Sequence, residues 1–169
     1  VLIKGSKDHP DNAIFINAYF PHLLKKLADE VGAKLIHVST DCVFSGKKGN
    51  YNESDFRDAD DIYGRSKALG EIINDKDLTI RTSIIGPELK LNGEGLFHWF
   101  MHQKGKVNGF TTAIWGGVTT LELAEAMDAA IVQQKTGLIQ LSNGKGITKY
   151  DLLNLFKKIW LRNDIEILP

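Results

Sequence analysis

Lys34-Leu35-Ile36-His37-Val38-Ser39 is the stretch that decides the fold. It is short, apolar and β-branched, which reads as a buried strand. Upstream, Phe15, Ile16, Tyr19, Phe20, Leu23, Leu24, Leu27 and Val31 recur at spacings of three and four between Asn12 and Val31, one face of a helix. Pro21 interrupts that face, so a kink there or a later helix start is expected, and Gly32 ends the run. Downstream, a polar loop from Ser45 to Asp60 leads into a second helix, Ile62 to Asn74, and then a second strand, Asp77 to Thr82. The loop acids Glu53, Asp55, Asp58, Asp60 and Asp61 read as a solvated face and helix-cap chemistry. Further on, Leu96 to Gln103 reads as a short aromatic helix and Thr119 to Gln134 as an amphipathic helix capped by a threonine. Gly137 to Ser142 reads as a strand and Lys149 to Leu161 as a last helix. Helices alternating with buried strands at this spacing call for parallel strands joined by crossovers. The fold class is α/β, a doubly wound parallel sheet.

Composition sets the outer bounds. The 169 residues are 43% hydrophobic and 25% charged, ordinary for a globular chain and enough for one domain with a real core. Lys plus Arg (21) and Asp plus Glu (21) cancel, so nothing suggests a nucleic-acid partner. The one cysteine, Cys42, excludes an internal disulfide and a cysteine-rich zinc site and fits a reducing, cytoplasmic setting. No apolar run approaches the length of a membrane-spanning helix, and no signal-peptide pattern is present. The chain opens on Val1-Leu2-Ile3-Lys4-Gly5 without an initiator methionine. That is either a trimmed terminus or the sign of a preceding part of a fold.

The chemistry concentrates in Ser39-Thr40-Asp41-Cys42-Val43-Phe44-Ser45-Gly46 and Tyr63-Gly64-Arg65-Ser66-Lys67. Thr40 stands at the C-terminal end of a predicted parallel strand, where open α/β sheets place ligands. Tyr63 and Lys67 are four apart on a predicted helix and share a face. A phenol titrates near 10, and a neighbouring ammonium favours the phenolate, so Tyr followed four later by Lys is a way to tune proton transfer. Thr40 can hold the substrate oxygen that the tyrosine protonates. Of the four tyrosines, Tyr19, Tyr51 and Tyr150 have Leu23, Asp55 and Asn154 at that offset; Tyr63 alone has lysine.

These residues, with Tyr51-Asn52-Glu53, the continuation Ala68-Leu69-Gly70-Glu71 and Arg81-Thr82-Ser83, resemble the extended short-chain dehydrogenase/reductase family. Within it they are most similar to the branch of dTDP-4-dehydrorhamnose reductase and related sugar-nucleotide enzymes, over most of the chain and more loosely after Gly105. The resemblance implies a Rossmann-like sheet with residues 1–83 as its second half, carrying the catalytic motif, and residues 84–169 as mostly the substrate-binding part. It implies Thr40, Tyr63 and Lys67 as the catalytic set, with Tyr63 the proton donor and Lys67 lowering its pKa and holding the nicotinamide ribose. Ser83 and Ile84 would join Tyr63 and Lys67 at the cofactor. Asn17 matches the family's helix asparagine, or is a polar residue near a helix start.

The family's Gly-rich dinucleotide fingerprint, which sets helix amides against the pyrophosphate, is not in this sequence, and Gly144-Lys145-Gly146 reads as a turn. By analogy the chain begins after the fourth strand, with roughly 60 to 80 residues of the nucleotide-binding half lying before it. Little or no reductase activity is then expected of these 169 residues alone.

The resemblance implies reduction of a 4-keto sugar nucleotide, with NADP(H) rather than NAD(H), in cell-surface polysaccharide synthesis. The 4,6-dehydratases place Glu where Cys42 stands, which disfavours dehydration. The dTDP-4-dehydrorhamnose reductases usually carry Tyr there and Trp where Ile84 stands. In the related epimerase-reductases the position is a cysteine acting as acid/base, and its histidine partner would fall near Glu88. Cys42 is therefore either a small hydrophobe under the loop or a thiol that shuttles a proton in a thiolate-favouring environment. Thr40, Asp41, Cys42, Asn92, Phe97 and Trp115 are the substrate-binding candidates. His98 and His102 have metal-ligand spacing but sit among Phe97, Trp99, Phe100 and Met101, so a packing helix is expected and no metal. A homodimer through a four-helix bundle of the helices near 12–31 and 61–74 is implied as well. A third alternative is a non-catalytic regulatory subunit of the same fold.

Overall fold

The computed structural model describes residues 2–90 and 92–169. In chain order, α1 (Ile3–Asp8) and α2 (Pro10–Ala13) lead into a π-helical segment, Ile14–Tyr19, and then α3 (Phe20–Glu30). Strand β1 (Ile36–Thr40), a 3₁₀ turn (Asp41–Val43), α4 (Ile62–Leu69) and β2 (Leu78–Thr82) follow. Next come β3 (Ile84–Ile85), α5 (Leu96–Met101), β4 (Gly105–Asn108), β5 (Ile114–Trp115) and β6 (Val118–Thr119). The chain ends with α6 (Thr120–Val132), β7 (Gly137–Gln140), β8 (Ile147–Thr148), α7 (Lys149–Ile159) and β9 (Ile165–Leu168). No helix among the described residues is long and apolar enough to cross a membrane.

The residues form two compact units. One runs to Thr82 and adds Ala129–Leu141; the other comprises Ser83–Asp128 and Ser142–Pro169. In the first, a parallel sheet has the order β1-β2-β7, with Ile36 opposite Leu78 and Thr40 opposite Thr82. All five residues of β2 are buried, as the central strand of a parallel sheet requires. The turn entering β2 is fixed by Asp77, whose carboxylate accepts from Leu35 N (2.9 Å) and Asn74 Nδ2 (2.9 Å). In the second unit, α7, α5, β4 and β9 enclose Phe100, Val107, Leu152, Leu153, Phe156, Ile165 and Ile167. There β4 pairs β9 in parallel, β3 pairs β6 in parallel, and β5 pairs β8 antiparallel. This is the expected α/β class with parallel pairing.

Two expectations need correction. The irregularity near Pro21 is neither a kink at the proline nor a late start. It is the π-helical segment just before it, closed by Phe20 N–H donating to Phe15 O. Proline has no N–H to give and its ring crowds the carbonyl four residues back, here Asn17, so widening the preceding turn relieves the clash without ending the helix. The second helix stops at Leu69, not Asn74. At Gly70 a Cβ would lie 1.9 Å from Asn17 O, so the chain passes the π segment at backbone distance. From there Thr79 holds it, its hydroxyl donating to Ile72 O (2.6 Å) and accepting from Ile72 N (3.1 Å).

Gly70→Ala must push those backbones apart. The expected loss is about 3 kcal/mol, read as a melting temperature lower by roughly 10 °C. A melting temperature unchanged within a degree would show that the close approach is not required.

Candidate active site

The first unit brings Thr40, Asp41, Cys42, Tyr63 and Lys67 together at the C-terminal end of β1. Thr40 is the last residue of the strand and caps the 3₁₀ turn, its Oγ1 accepting from Cys42 N at 3.1 Å and donating to Asp41 Oδ1 at 3.2 Å. Asp61 caps α4 by accepting from Gly64 N at 3.0 Å. Gly64 lets the start of α4 close on the turn: a Cβ there would lie 2.3 Å from Cys42 O and 2.5 Å from the Ala59 Cβ. Tyr63 and Lys67 are thereby carried to the strand end on one face of α4, as their spacing predicts.

Each side chain is held. Lys67 Nζ donates to Val38 O at 2.8 Å. Ser66 Oγ donates to Tyr63 O (3.0 Å) and accepts from Asn17 Nδ2 (3.2 Å), so Asn17 acts from within the π segment as a brace on α4. Burial raises the Tyr63 phenol above its ordinary value, against which the Thr40 hydroxyl pulls it down. Burial lowers the Lys67 amine, and the Glu71 charge opposes that. The groups that move the Tyr63 phenol after burial are Thr40, Cys42, Asp41 and Asp61; the sequence pattern pointed to Lys67.

Cys42 sits where a thiolate is disfavoured. Burial and then the Asp41 carboxylate push the thiol up to about 11, and Sγ lies 3.6 Å from Asp41 Oδ1. The thiolate-favouring environment that acid/base work by this cysteine needs is not what surrounds it.

In the sequence Glu71 and Arg81 figure only as part of the family motif, and nothing there pairs them. Beneath the site, Glu71, Arg81 and Ser39 form a buried network, joined by the part-exposed Arg57. Its signals were only a lone arginine in an apolar strand and a glutamate after a helix-ending glycine. His37, also unremarked, has its Nε2 buried with no hydrogen-bond partner among the described residues. Burial and then the Lys67 charge bring it down to about 4.

The second unit holds Ser83, Ile84, Asn92, Phe97 and Trp115. Trp115 Nε1 donates to Ser83 Oγ at 2.9 Å, and Ile84 pairs with Val118 on β3 and β6. Asn92 lies exposed in a turn before α5. Phe97 packs in an aromatic cluster, 5.4 Å from the Phe156 ring and 4.6 Å from that of Trp160. The His98 and His102 rings stack at 4.2 Å, and His102 Nδ1 is engaged by His98 O at 2.8 Å. A cavity of about 600 Å³ lined by Lys34, Ile36, Lys76 and Ile131 opens at the N-terminal end of β1, the opposite end from Thr40.

Residues 4–155 match the family model described as the RmlD substrate binding domain. The spore coat polysaccharide biosynthesis protein SpsK of Bacillus subtilis is 32% identical over 138 residues, 79% of this chain and 48% of that protein. A dTDP-4-dehydrorhamnose reductase of Mycobacterium tuberculosis is 36% identical over 74 residues, 41% of this chain and 24% of that protein. The chain thus spans less than half the length of either relative. In fold it is similar to a dTDP-4-dehydrorhamnose reductase of Bacillus anthracis solved in complex with NADP, with TM-score 0.85 at 23% identity, over 98% of this chain and 60% of that one.

Two outcomes follow from the buried groups. Iodoacetamide should alkylate Cys42 at pH 8 about 100-fold more slowly than a free thiol, with the rate still climbing tenfold per pH unit above pH 9. An ordinary free-thiol rate would contradict the environment described. For His37, the unfolded chain takes up a proton below the usual histidine value while the native chain resists until about 4. Stability is therefore full above pH 6.5 and falls between pH 6.5 and about 4, by up to about 3 kcal/mol. His37→Gln should flatten that window in urea unfolding measured at pH 7 and pH 5.

Proposed function

We propose, from the premise that this chain belongs to the RmlD substrate binding domain family, that it carries the acid/base site of a nicotinamide-dependent, cytoplasmic reductase of a 4-keto sugar nucleotide in cell-surface polysaccharide synthesis. The observation that carries the reading is the placement of Thr40, last residue of a parallel strand, against the start of the helix that carries Tyr63 and Lys67, with Gly64 closing on the turn after Thr40 and Lys67 anchored on Val38 O. The relatives named for dTDP-4-dehydrorhamnose reduction and polysaccharide synthesis support the substrate class.

In the proposed reaction, the Thr40 hydroxyl turns its one proton from Asp41 Oδ1 to the C4 carbonyl oxygen and fixes it beside Tyr63. Tyr63 gives its proton to that oxygen as C4 becomes tetrahedral, so the carbonyl becomes a hydroxyl and the phenolate is left to be reprotonated. A nicotinamide, when bound, would supply the hydride to C4. Lys67, with one N–H on Val38 O, has two further donors, which suit a ribose hydroxyl and steady the phenolate. The donor set fits the nicotinamide-ribose end of NADPH, and Ser83 and Ile84 are the further cofactor candidates. No glycine-rich turn for the pyrophosphate occurs in the sequence. Asp41 and Cys42 line the strand end as substrate contacts, with Cys42 acting as a neutral thiol. Asn92, Phe97 and Trp115 are the proposed contacts of the second unit. Exposed Ile14, Phe15, Tyr19, Leu27 and Leu69 on the first unit's helices support a proposed homodimer through them.

The test is NADPH oxidation at 340 nm with dTDP-4-dehydrorhamnose, in the protein as its own gene encodes it. Tyr63→Phe should lower kcat by at least about 100-fold with NADPH affinity retained. Turnover equal to wild type would remove Tyr63 from the chemistry. An absence of any turnover in the wild type, with NADPH bound, would favour a regulatory subunit.

A further inference from the structure

Lys149, the first residue of α7, carries a charge that the second unit holds in place without neutralising. Its Nζ lies between two aromatic faces, 5.1 Å from the centre of the Trp99 ring and 4.9 Å from that of Phe110. Among the described residues it makes no ion pair and its ammonium no hydrogen bond. The nearest acid in sequence, Asp151, is taken up by the Thr148 cap, accepting from that hydroxyl at 2.5 Å. Lys48, which also lies over a ring, that of Tyr51, is paired with Asp55 as well. An ammonium has three N–H donors, so at Lys149 the rings fix where the charge sits and leave its donors open.

Phe110 keeps its place against its backbone preference. Its φ of +64° lies in the left-handed region, which an aromatic residue seldom enters. The loop around it is pinned on both sides: Gly109 N–H donates to Leu168 O (2.6 Å), Tyr150 N–H to Phe110 O (3.4 Å) and Lys149 N–H to Ala113 O (2.8 Å). A Cβ at Gly109 would lie 2.8 Å from Tyr150 Cα, so the loop presses on the start of α7. All this does not bury the ring. Phe110 stays 52% exposed and Trp99 36%. Backbone strain that serves no burial is characteristic of ligand clamps. A fixed cation flanked by part-open rings matches a phosphate joined to a planar ring, because the ammonium takes phosphate oxygens while a ring face takes a stacked base. A bare anion would use only the lysine, and an apolar ligand only the rings.

We propose that Trp99, Phe110 and Lys149 form a nucleotide subsite of the second unit: Lys149 takes the phosphate, Phe110 stacks on the base, and Trp99 steadies the ammonium. The subsite rests on the sugar-nucleotide reading for its use, as the place that holds the nucleoside diphosphate end of the substrate. Its test is an NMR titration of the protein as its own gene encodes it, ¹⁵N-labelled at the tryptophan indoles, with dTDP, UDP and GDP. The Trp99 signal is assigned by its loss in Trp99→Phe. At least one nucleotide should move that signal to saturation. Lys149→Gln, with a native amide spectrum, should weaken that nucleotide about tenfold and leave the affinity of the matching nucleoside unchanged; Phe110→Ala should weaken both about tenfold. A Trp99 signal that no nucleotide moves overturns the proposal, as does Lys149→Gln binding the nucleotide as tightly as wild type, or inorganic pyrophosphate binding as tightly as the nucleotide. Should Phe110→Ala fail to fold, Lys149→Gln decides. NADPH oxidation by the wild type judges the reductase reading separately: turnover with nucleotide affinity unchanged in Lys149→Gln overturns the subsite alone, whereas Lys149-dependent nucleotide binding without turnover overturns the reductase and leaves the subsite standing.

Discussion

Helix α4 touches the rest of its unit at backbone distance at both ends, and the candidate site depends on that constraint. At one end Gly64 lies so near Cys42 O that no Cβ fits; at the other Gly70 lies as near Asn17 O. The two contacts pin an eight-residue helix against two different segments, the 3₁₀ turn after β1 and the π segment before α3. A helix this short has little stability of its own. Its place is set by these approaches, by the Asp61 cap, and by Lys67 and Ser66 reaching across to Val38 and Asn17. Lys67 lies between the pins and Tyr63 immediately before the first, so their positions against Thr40 inherit the precision of backbone packing.

Beneath that frame the unit buries charge. Burial alone would push the Glu71 carboxyl up, but the Arg81 hydrogen bond and charge, with Ser39 and Arg57, outweigh it and hold it below the usual range. Removing one partner of such a pair leaves an uncompensated buried charge, which costs several kcal/mol. The same network reaches the loop that leaves the site. Arg81 lies over Phe44, whose ring stacks on Tyr51 at 4.3 Å, while Gln140 of β7 holds Tyr51 O (2.8 Å) and Glu53 (2.9 Å). The polar stretch between β1 and α4 is thus tied to the sheet through both its aromatic and its acidic residues.

Much of this was legible in the sequence, for a local reason. The buried run ending at Thr40, the 3.6-residue face before it and the Tyr63/Lys67 spacing are written in neighbouring residues, and the structure keeps all three. The expected α4 ran on to Asn74 because Ile72 and Ile73 continue an apolar pattern; the stop at Gly70 is set by Asn17, distant in sequence. Strands β3, β5, β6 and β8 have two residues each and exist only through pairing, so no period could reveal them. The Glu71–Arg81 clamp depends on the register that sets Ser39 opposite Arg81, a fact of strand pairing. Asp61 and Asp58 did turn out to serve a cap and a loop contact, and Glu53, exposed as expected, also accepts a hydrogen bond from β7.

The protonation states around Thr40 have one sense. Tyr63 is raised by burial, Cys42 is raised by burial and Asp41, and His37 is held neutral. At neutral pH the strand end therefore presents hydroxyl, phenol and thiol, all carrying their protons, with the Asp41 carboxylate beside them. Neither the phenol nor the thiol is a ready base, and the Asp41 carboxylate is the acceptor beside them. A site that must give a proton to a developing alkoxide needs a donor that stays protonated until charge appears on the oxygen, and a desolvated phenol is such a donor. An ammonium close by then favours the phenolate once it forms. Burial keeps the Tyr63 proton in place, which is the state that the proposed proton-donor role of Tyr63 asks for.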